Sequence, residues 1–436
     1  MIVVGVDVGG TFTDLVLADL SENALTIHKT PSTPDNPSDA VVAGINALCD
    51  SAGVAVGRID AIFHGTTVGT NAMLTHAGAR TGMITNDGFR DVLHIGRHQR
   101  PQHYSIQQEI PWQDRPLIRR RHRKTVNGRL DAQGNELVPL DEDAVAEAAR
   151  QLGDEGVDAV MVGFLFSYVN PSHERRAAEI VHNILPDIFV TTSADVSPQF
   201  REFERFTTAA MSAFIGPKVR RYVRDLDGRL KQIGVGAELR VMTSNGGLAT
   251  PDMIAARPAS TLLSGLVAGV RAGAFIGNHT GTDHLITLDI GGTSADIGIV
   301  RGGRLAEADS RSASIAGFPV MLPMIDIHTI GAGGGSIARI DRGGAFRVGP
   351  ESAGADPGPA AYGKGGDKPT VTDANLVLGR LVAANFLGGG MTLDASASAR
   401  AIEALAQNLG RSSEETAEGA LTVLNANMAN AIRSRT

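Results

Sequence analysis

The sequence predicts an α/β protein built from two similar halves, on three observations. The stretch Val6-Asp7-Val8-Gly9-Gly10-Thr11-Phe12-Thr13-Asp14-Leu15 returns without a gap as Leu288-Asp289-Ile290-Gly291-Gly292-Thr293-Ser294-Ala295-Asp296-Ile297. Asp, Gly, Gly, Thr and Asp coincide, and a repeat so far apart suggests duplicated halves rather than a short-period solenoid. Residues 159–166, 171–184 and 189–192 read as strand, helix and strand, the α/β unit. The 436 residues exceed one ordinary core, so two domains are expected, 1–194 and 195–436, each with one copy of the repeat.

Each copy reads as a strand, a tight Gly-Gly turn and a second strand. Val3, Val4, Val6 and Val8 are β-branched, and Gly9-Gly10 permits a two-residue hairpin turn that lets a ligand approach the backbone. Two such hairpins, with backbone N–H groups and hydroxyls, are expected to hold one polyphosphate from both sides. The carboxylates suit its metal, because Mg²⁺ prefers carboxylates, water and phosphate oxygens.

The elements follow in order. Residues 25–29 form a third strand, and Ser38-Asp39 caps a helix running to about Cys49. Residues 59–64 are a strand that leads into Gly65-Thr66-Thr67-Val68-Gly69-Thr70-Asn71, with a helix through Leu74. Thr66, Thr67 and Asn71 bring hydroxyls and an amide to one loop, a candidate oxyanion or polar-substrate site. His64 reads either as acid–base catalyst or hydrogen-bond donor to substrate, or as a satisfied structural histidine. After a strand at 80–85, Arg90, Arg97 and Arg100 form either an anion clamp or a solvated loop with structural ion pairs.

The run Arg119-Arg120-Arg121-His122-Arg123-Lys124 reads as an exposed strand face or subunit contact. No aromatics interleave, and the formal net charge of -7 argues against nucleic acid as a partner. Asp141 caps an amphipathic helix. Ser197-Pro198 starts a long helix that Gly216-Pro217 breaks, and residues 239–243 form a strand ending in Ser244-Asn245-Gly246-Gly247. An Ala/Gly-rich helix through Phe275 precedes the second hairpin.

Beyond that hairpin, Gly333, Gly334 and Gly335 sit in a loop whose glycine density frees the backbone to approach a ligand. Asp326 and His328 lie two apart, so on a strand they share a face. They form either a metal or charge-relay pair or a hydrogen-bonded structural pair. Thr370-Val371-Thr372-Asp373 caps a helix through Leu381, and residues 414–432 form another.

Composition narrows the class. Apolar residues make up 42%, enough for a large interior, and the one cysteine, Cys49, allows neither a disulfide framework nor a thiolate cluster. No cationic leader precedes an apolar run, and no uninterrupted apolar span is long enough to cross a bilayer. A cytoplasmic protein that makes no membrane contact is expected.

Taken together, residues 6–14, 64–74, 88–101, 242–247, 288–298, 326–338 and 352–381 resemble the hydantoinase/oxoprolinase family, specifically its hydantoinase A-type ATP-binding subunit. The resemblance runs in order along nearly the whole chain. It implies an actin-like ATPase fold in which two ribonuclease-H-like domains close over ATP. Asp7, Gly9, Gly10, Thr11 and Thr13 then correspond to the first phosphate motif, and Asp289, Gly291, Gly292, Thr293 and Ser294 to the second, with Gly333, Gly334 and Gly335 as further nucleotide contacts.

The resemblance also implies a chemistry. ATP phosphorylates the oxygen of a cyclic amide such as hydantoin or 5-oxoproline, and the activated ring is opened, with a hydantoinase B-type partner subunit in an oligomeric assembly. On this reading Asp7 and Asp289 organise Mg²⁺, or another divalent metal, through water. Asp296 orients attacking groups, and His64, Thr66, Thr67, Asn71, Arg90 and Arg97 face the substrate. Family chains continue past residue 432 with a Gly-Gly-Ala-Gly-Pro turn, so the C-terminal domain is expected to be incomplete here. Two other readings stand beside this one: a subunit of an ATP-dependent ketone carboxylase, and a non-catalytic nucleotide-binding or regulatory protein.

Overall fold

The computed structural model describes residues 1–10, 12–33, 35–99, 104–106, 108–309 and 313–436. Thr11 and Arg100 lie outside the described residues. The chain forms two compact units: Met1–Ala268 with Glu307–Ile325, and Gly269–Ala306 with Asp326–Thr436.

The first unit holds two sheets. In the larger, the strands run Leu248–Ala249, Leu239–Met242, Ala61–Thr66, Ile2–Val8, Phe12–Asp19 and Ala24–Pro31 from edge to edge. Ile2–Val8 pairs antiparallel with Phe12–Asp19 and parallel with Ala61–Thr66, which is itself parallel to Leu239–Met242. The alternation of Ile2, Val4, Val6 and Val8 points these side chains into the core and leaves Asp7 exposed. The second sheet is wholly parallel, in the order Phe189–Thr192, Ala159–Gly163, Thr81–Asn86, Arg123–Val126.

The helix Glu202–Gln232 serves both sheets. One core joins Val4, Val6 and Leu15 of the first sheet and Met83, Met161 and Phe189 of the second to Phe206, Met211 and Ile215 of this helix. That shared core is why residues after 194 belong with the first unit and the division falls at Ala268/Gly269, inside the helix Ser264–Thr280.

Several expectations change here. The long helix does not break at Gly216-Pro217: Pro217 is interior to it. A helical proline costs about 3 kcal/mol, and burial of Ile215 before it and Val219, Val223 and Leu226 after it offsets that cost. Nor does Ser197 cap this helix; its hydroxyl donates to the Met321 carbonyl at 2.6 Å, and the helix starts after Arg201, whose φ is 94°. The helix Pro37–Ala52 begins one residue before Ser38, with proline at its first turn and Asn36 at the cap. The Asp141 cap is formed as expected, its carboxylate accepting from Ala144 N at 2.9 Å.

In the second unit, Leu285–Ile290, Ala295–Arg301 and Arg304–Leu305 form an antiparallel meander, and Ile327–Ile330 pairs antiparallel with Ala295–Arg301. The helices Val371–Val377, Ala395–Leu409 and Ser413–Arg433 pack Ile402, Leu405, Leu421 and Leu424 against Ala295, Ala332, Ala338 and Val348. Capping boxes at Thr370/Asp373 and Ser412/Glu415 start two of them, and the first ends at Val377 rather than Leu381. Among the described residues no helix is long and apolar enough to cross a membrane.

Candidate functional site

The repeat seen in the sequence is a repeat in backbone geometry. Gly9 N donates to Phe12 O at 2.9 Å, and Gly291 N donates to Ser294 O at 2.9 Å. Asp7 stands opposite Asp14 across the first hairpin, and Asp289 opposite Asp296 across the second. Gly10, Gly292 and Thr293 are exposed, and their N–H groups donate to no acceptor among the described residues. Free N–H groups at an exposed turn suit an oxyanion.

In the first hairpin the carbonyls around Asp7 are gripped by side chains. Val6 O lies 3.3 Å from His64 Nδ1. Val8 O accepts from Thr67 Oγ1 at 2.9 Å and from Thr67 N at 3.1 Å. Gly9 O accepts from Ser32 Oγ at 2.8 Å, and Ser32 Oγ lies 3.0 Å from Thr13 Oγ1. The exposed Asp7 side chain has glycine on two sides: a Cβ built on Gly65 or on Gly265 would come within 2.8 Å of Asp7 Oδ1. Any side chain at either position would displace the carboxylate.

These contacts revise several expected roles. Thr13 is fully buried, so its hydroxyl holds Ser32 and is not open to a phosphate. His64 is 1% exposed, with Tyr222 Oη at 2.8 Å from Nε2, and burial pulls its pKa down to about 4. It is a neutral interior group, not a titrating catalyst facing substrate. Thr66 is likewise buried, and its Oγ1 accepts from Val68 N at 3.2 Å. Arg97 makes a bidentate pair with Glu204, Nε to Oε1 at 2.8 Å and Nη2 to Oε2 at 2.5 Å, so its fork is already occupied. Arg90 remains half-exposed, 4.0 Å from Asp91, while Arg120 takes both oxygens of that carboxylate at 2.9 Å. Asn71 Nδ2 donates to Thr67 Oγ1 at 3.1 Å, and a Cβ on Gly10 would lie 3.5 Å from it.

The second hairpin is buttressed by backbone. Gly334 N donates to Gly291 O at 2.9 Å and Gly335 N to Gly292 O at 2.6 Å, while Gly333 N donates to Ser336 Oγ at 2.9 Å. All three N–H groups expected to meet a nucleotide are therefore spent inside the unit. The glycines serve close approach: a Cβ on Gly333 would come within 2.7 Å of Gly291 O, Gly292 C and Thr293 C. Asp296 is 9% exposed and accepts from Thr329 Oγ1 at 2.6 Å and Ser294 Oγ at 3.2 Å. Burial raises its pKa, and the Asp289 charge across the strand pair adds to the rise.

At the Asp326 and His328 pair, Arg435 Nη2 donates to His328 Nδ1 at 3.1 Å, so that ring nitrogen already has a partner. Among the described residues no group of three or more His, Cys, Asp or Glu side chains could hold a metal ion. A magnesium carried by nucleotide phosphates needs only one or two carboxylates and water, and the exposed Asp7 and Asp289 each fit that demand.

Sequence reasoning missed Ser32, Tyr222, Gly265 and Thr329. Each acts across a long sequence separation, and none belongs to a local motif.

The geometry defines a class: an α/β protein presenting the same Gly-Gly hairpin twice, each with an exposed carboxylate on the strand before it. The chain belongs to the hydantoinase/oxoprolinase family. The family's N-terminal-region model matches residues 3–185 and its hydantoinase/oxoprolinase model residues 205–436, so residue 194 falls between the two matches. The chain is 38% identical to caprolactamase subunit alpha of Pseudomonas jessenii over 98% of this chain and 62% of that one. An uncharacterized protein of Methanocaldococcus jannaschii is 39% identical over 99% of this chain and 64% of its own length. The crystal structure of the ATP-dependent caprolactamase from Pseudomonas jessenii aligns with TM-score 0.81 and 37% identity, over 100% of this chain and 63% of that chain. A nucleotide-free acetone carboxylase structure aligns with TM-score 0.87 and 29% identity, over 99% of this chain and 62% of that chain. The chain therefore spans less than two thirds of the length of these relatives.

Proposed function

We propose that this chain is the nucleotide-handling part of an ATP-dependent enzyme that activates a cyclic amide for ring opening. The observation that carries the reading is the twice-formed hairpin with exposed, unpartnered N–H groups, in a chain similar to an ATP-dependent caprolactamase. The fold is read as actin-like, with Gly9 and Gly10 in one phosphate-binding turn and Gly291, Gly292 and Thr293 in the other. Asp7 and Asp289 are the carboxylates that would hold the nucleotide's magnesium. When bound, that ion neutralises charge on the transferring phosphoryl group.

The chemistry follows from the weakness of an amide as an electrophile. Its carbonyl oxygen attacks the γ-phosphorus of ATP, the bond to the bridging oxygen breaks, and ADP leaves. The O-phosphorylated ring is then attacked by water at carbon; the ring C–N bond breaks as the nitrogen leaves with a proton from that water, and a second water hydrolyses the resulting acyl phosphate to the carboxylate and inorganic phosphate. Phosphoryl transfer needs positioning and charge neutralisation more than covalent help. Asp296, held by Thr329 and Ser294, orients the attacking group. Arg90 and Asn71 are the substrate-facing candidates whose side chains are least committed within the first unit. A hydantoinase B-type partner in an oligomeric, cytoplasmic assembly completes the ring-opening step.

The test is ATP turnover with caprolactam, hydantoin or 5-oxoproline, with and without the partner. Substrate-stimulated ADP release is expected, with a loss of at least about a hundredfold in Asp7→Asn. Unchanged turnover in that variant would remove Asp7 from the reading. The likeness to acetone carboxylase favours a second reading, phosphorylation of an enolisable ketone and bicarbonate. ATP hydrolysis that requires bicarbonate and a ketone would select it, and nucleotide binding without turnover would select a regulatory role.

A further inference from the structure

Beneath Asp7 lies a chain of buried polar groups whose protons can be assigned one by one. A backbone carbonyl only accepts, so His64 Nδ1, 3.3 Å from Val6 O, carries the imidazole proton. Nε2 is then an acceptor and takes the phenol proton of Tyr222 at 2.8 Å. The Thr66 side chain lies beside the phenol, and its Oγ1 accepts from Val68 N at 3.2 Å. The order runs from the Tyr222 phenol through His64 to Val6 C=O. His64, Thr66 and Tyr222 are 1%, 1% and 5% exposed, so water does not compete for these bonds.

The chain ties three elements together: the long helix Glu202–Gln232, the strand Ala61–Thr66, and the strand Ile2–Val8. It ends one residue before Asp7. On the other side of Asp7, Val8 O is held by Thr67. The backbone that carries the carboxylate is thus fixed on both sides, and its side chain stands between Gly65 and Gly265.

We propose that Tyr222 and His64 form a buried positioning pair that sets the Asp7 carboxylate for a magnesium–nucleotide ligand. This rests on the reading of Asp7 given above and names the residues through which it is made precise. Neither side chain touches the ligand. Each acts through the Val6 carbonyl and the register of the strand pair, where Val6 faces His64 and Asp7 faces Gly65.

The experiment measures ATP binding calorimetrically, with magnesium and with EDTA, in the full chain and in Tyr222→Phe, His64→Leu and His64→Asn. Tyr222→Phe and His64→Leu are expected to weaken magnesium-dependent affinity about tenfold or more, as loss of a ligand's supporting partner does. Metal-free affinity is expected to stay the same, because the hairpin N–H groups are untouched. His64→Asn, whose amide N–H falls near the position of Nδ1–H, is expected to recover most of the loss. A merely structural role would lower both affinities together and would not distinguish Asn from Leu. Nitrogen-15 NMR supplies a readout that needs no ligand: the Nδ1–H tautomer of His64 in the wild type, and a displaced Asp7 backbone amide resonance in Tyr222→Phe, since that amide shares its peptide unit with the Val6 carbonyl. Equal magnesium-dependent affinity in wild type and Tyr222→Phe overturns the proposal, as does the Nε2–H tautomer. A wild type that binds no ATP overturns the functional reading instead, and the Asp7 amide resonance then decides the positioning pair alone: an unmoved resonance in Tyr222→Phe sinks it.

Discussion

The two hairpins have the same Gly-Gly sequence, the same opposed carboxylates and the same closing bond of 2.9 Å, yet they are held in opposite ways. The first is clamped by side chains: His64, Thr67 and Ser32 each reach a carbonyl of the strand or turn. The second is clamped by backbone: Gly334 N and Gly335 N reach Gly291 O and Gly292 O. The distal carboxylates differ too. Asp14 is exposed and neutralised by Lys29 at 2.7 Å, whereas Asp296 is buried with only hydroxyls as donors. A duplicated element can thus keep its turn while its two copies acquire different supports. The copy with the raised carboxylate pKa is the better candidate for chemistry, and the copy with the paired one for anchoring.

The sharpest way to break this comparison is to add one methyl group to each support. Gly333→Ala would drive a Cβ to 2.7 Å from three backbone atoms of the second hairpin, none of which can swing aside. A loss of about 3 kcal/mol or more is expected in denaturant unfolding. Gly10→Ala places its Cβ 3.5 Å from Asn71 Nδ2, an ordinary contact, and is expected to change stability by less than about 0.5 kcal/mol while obstructing phosphate approach. Equal stability of the two variants would mean that the glycine loop does not buttress the turn.

Acid separates the hairpins next. His64 is held neutral, with a folded pKa of about 4 against an unfolded value of 6.5. The unfolded chain binds the extra proton between these values, so stability is complete above pH 6.5 and falls as pH drops toward 4. The linked loss is about 3 kcal/mol. Asp296 has the opposite sign: its folded pKa is raised, so protonation on acidification favours the folded state. Hydrogen exchange, corrected for intrinsic rate, is expected to show peptides from Ile2–Val8 losing protection toward pH 4 before those from Ala295–Arg301. His64→Asn should flatten the first trend.

Much of this was legible in the sequence. The repeat, the β-branched alternation of the first strand and the Asp141 cap are local patterns, and local patterns survive folding. The continuous helix through Pro217 was not legible, because the burial that offsets the proline comes from two sheets distant in sequence. The glycines 333–335 were read as permitting close approach, and in the structure it is the second hairpin that comes close to them. His64 and Arg97 had the right chemistry for a site, and only their partners, Tyr222 and Glu204, reveal that the fold uses them internally. Residue type signals capability, while long-range contact decides employment.

A milder probe of the first hairpin is Thr67→Val, which keeps volume and removes the hydroxyl that reaches Val8 O. The Thr67 N–H still reaches that carbonyl at 3.1 Å, so the expected cost is about 1 kcal/mol in chemical denaturation. A cost above about 2 kcal/mol would mean that the backbone bond does not survive alone.

The smallest stability effect is expected where the functional effect is large. In Asp296→Asn, the side-chain oxygen still accepts from Thr329 Oγ1, and the new amide can donate to Ser294 Oγ. The substitution removes a carboxylate that burial disfavours in its charged form. Folding stability near neutral pH should therefore stay within about 1 kcal/mol of wild type, with any change toward greater stability. Turnover should fall about a hundredfold or more if Asp296 orients the attacking group, since an amide cannot accept a proton there. The equivalent change in the first hairpin, Asp14→Asn, breaks only an exposed ion pair and should leave turnover nearly intact. Steady-state ADP release beside a denaturation curve for each variant reads both quantities. Equal loss of turnover in Asp14→Asn and Asp296→Asn would erase the functional difference between the two copies, whereas an Asp296-specific loss without destabilisation would tie the raised carboxylate directly to the chemistry.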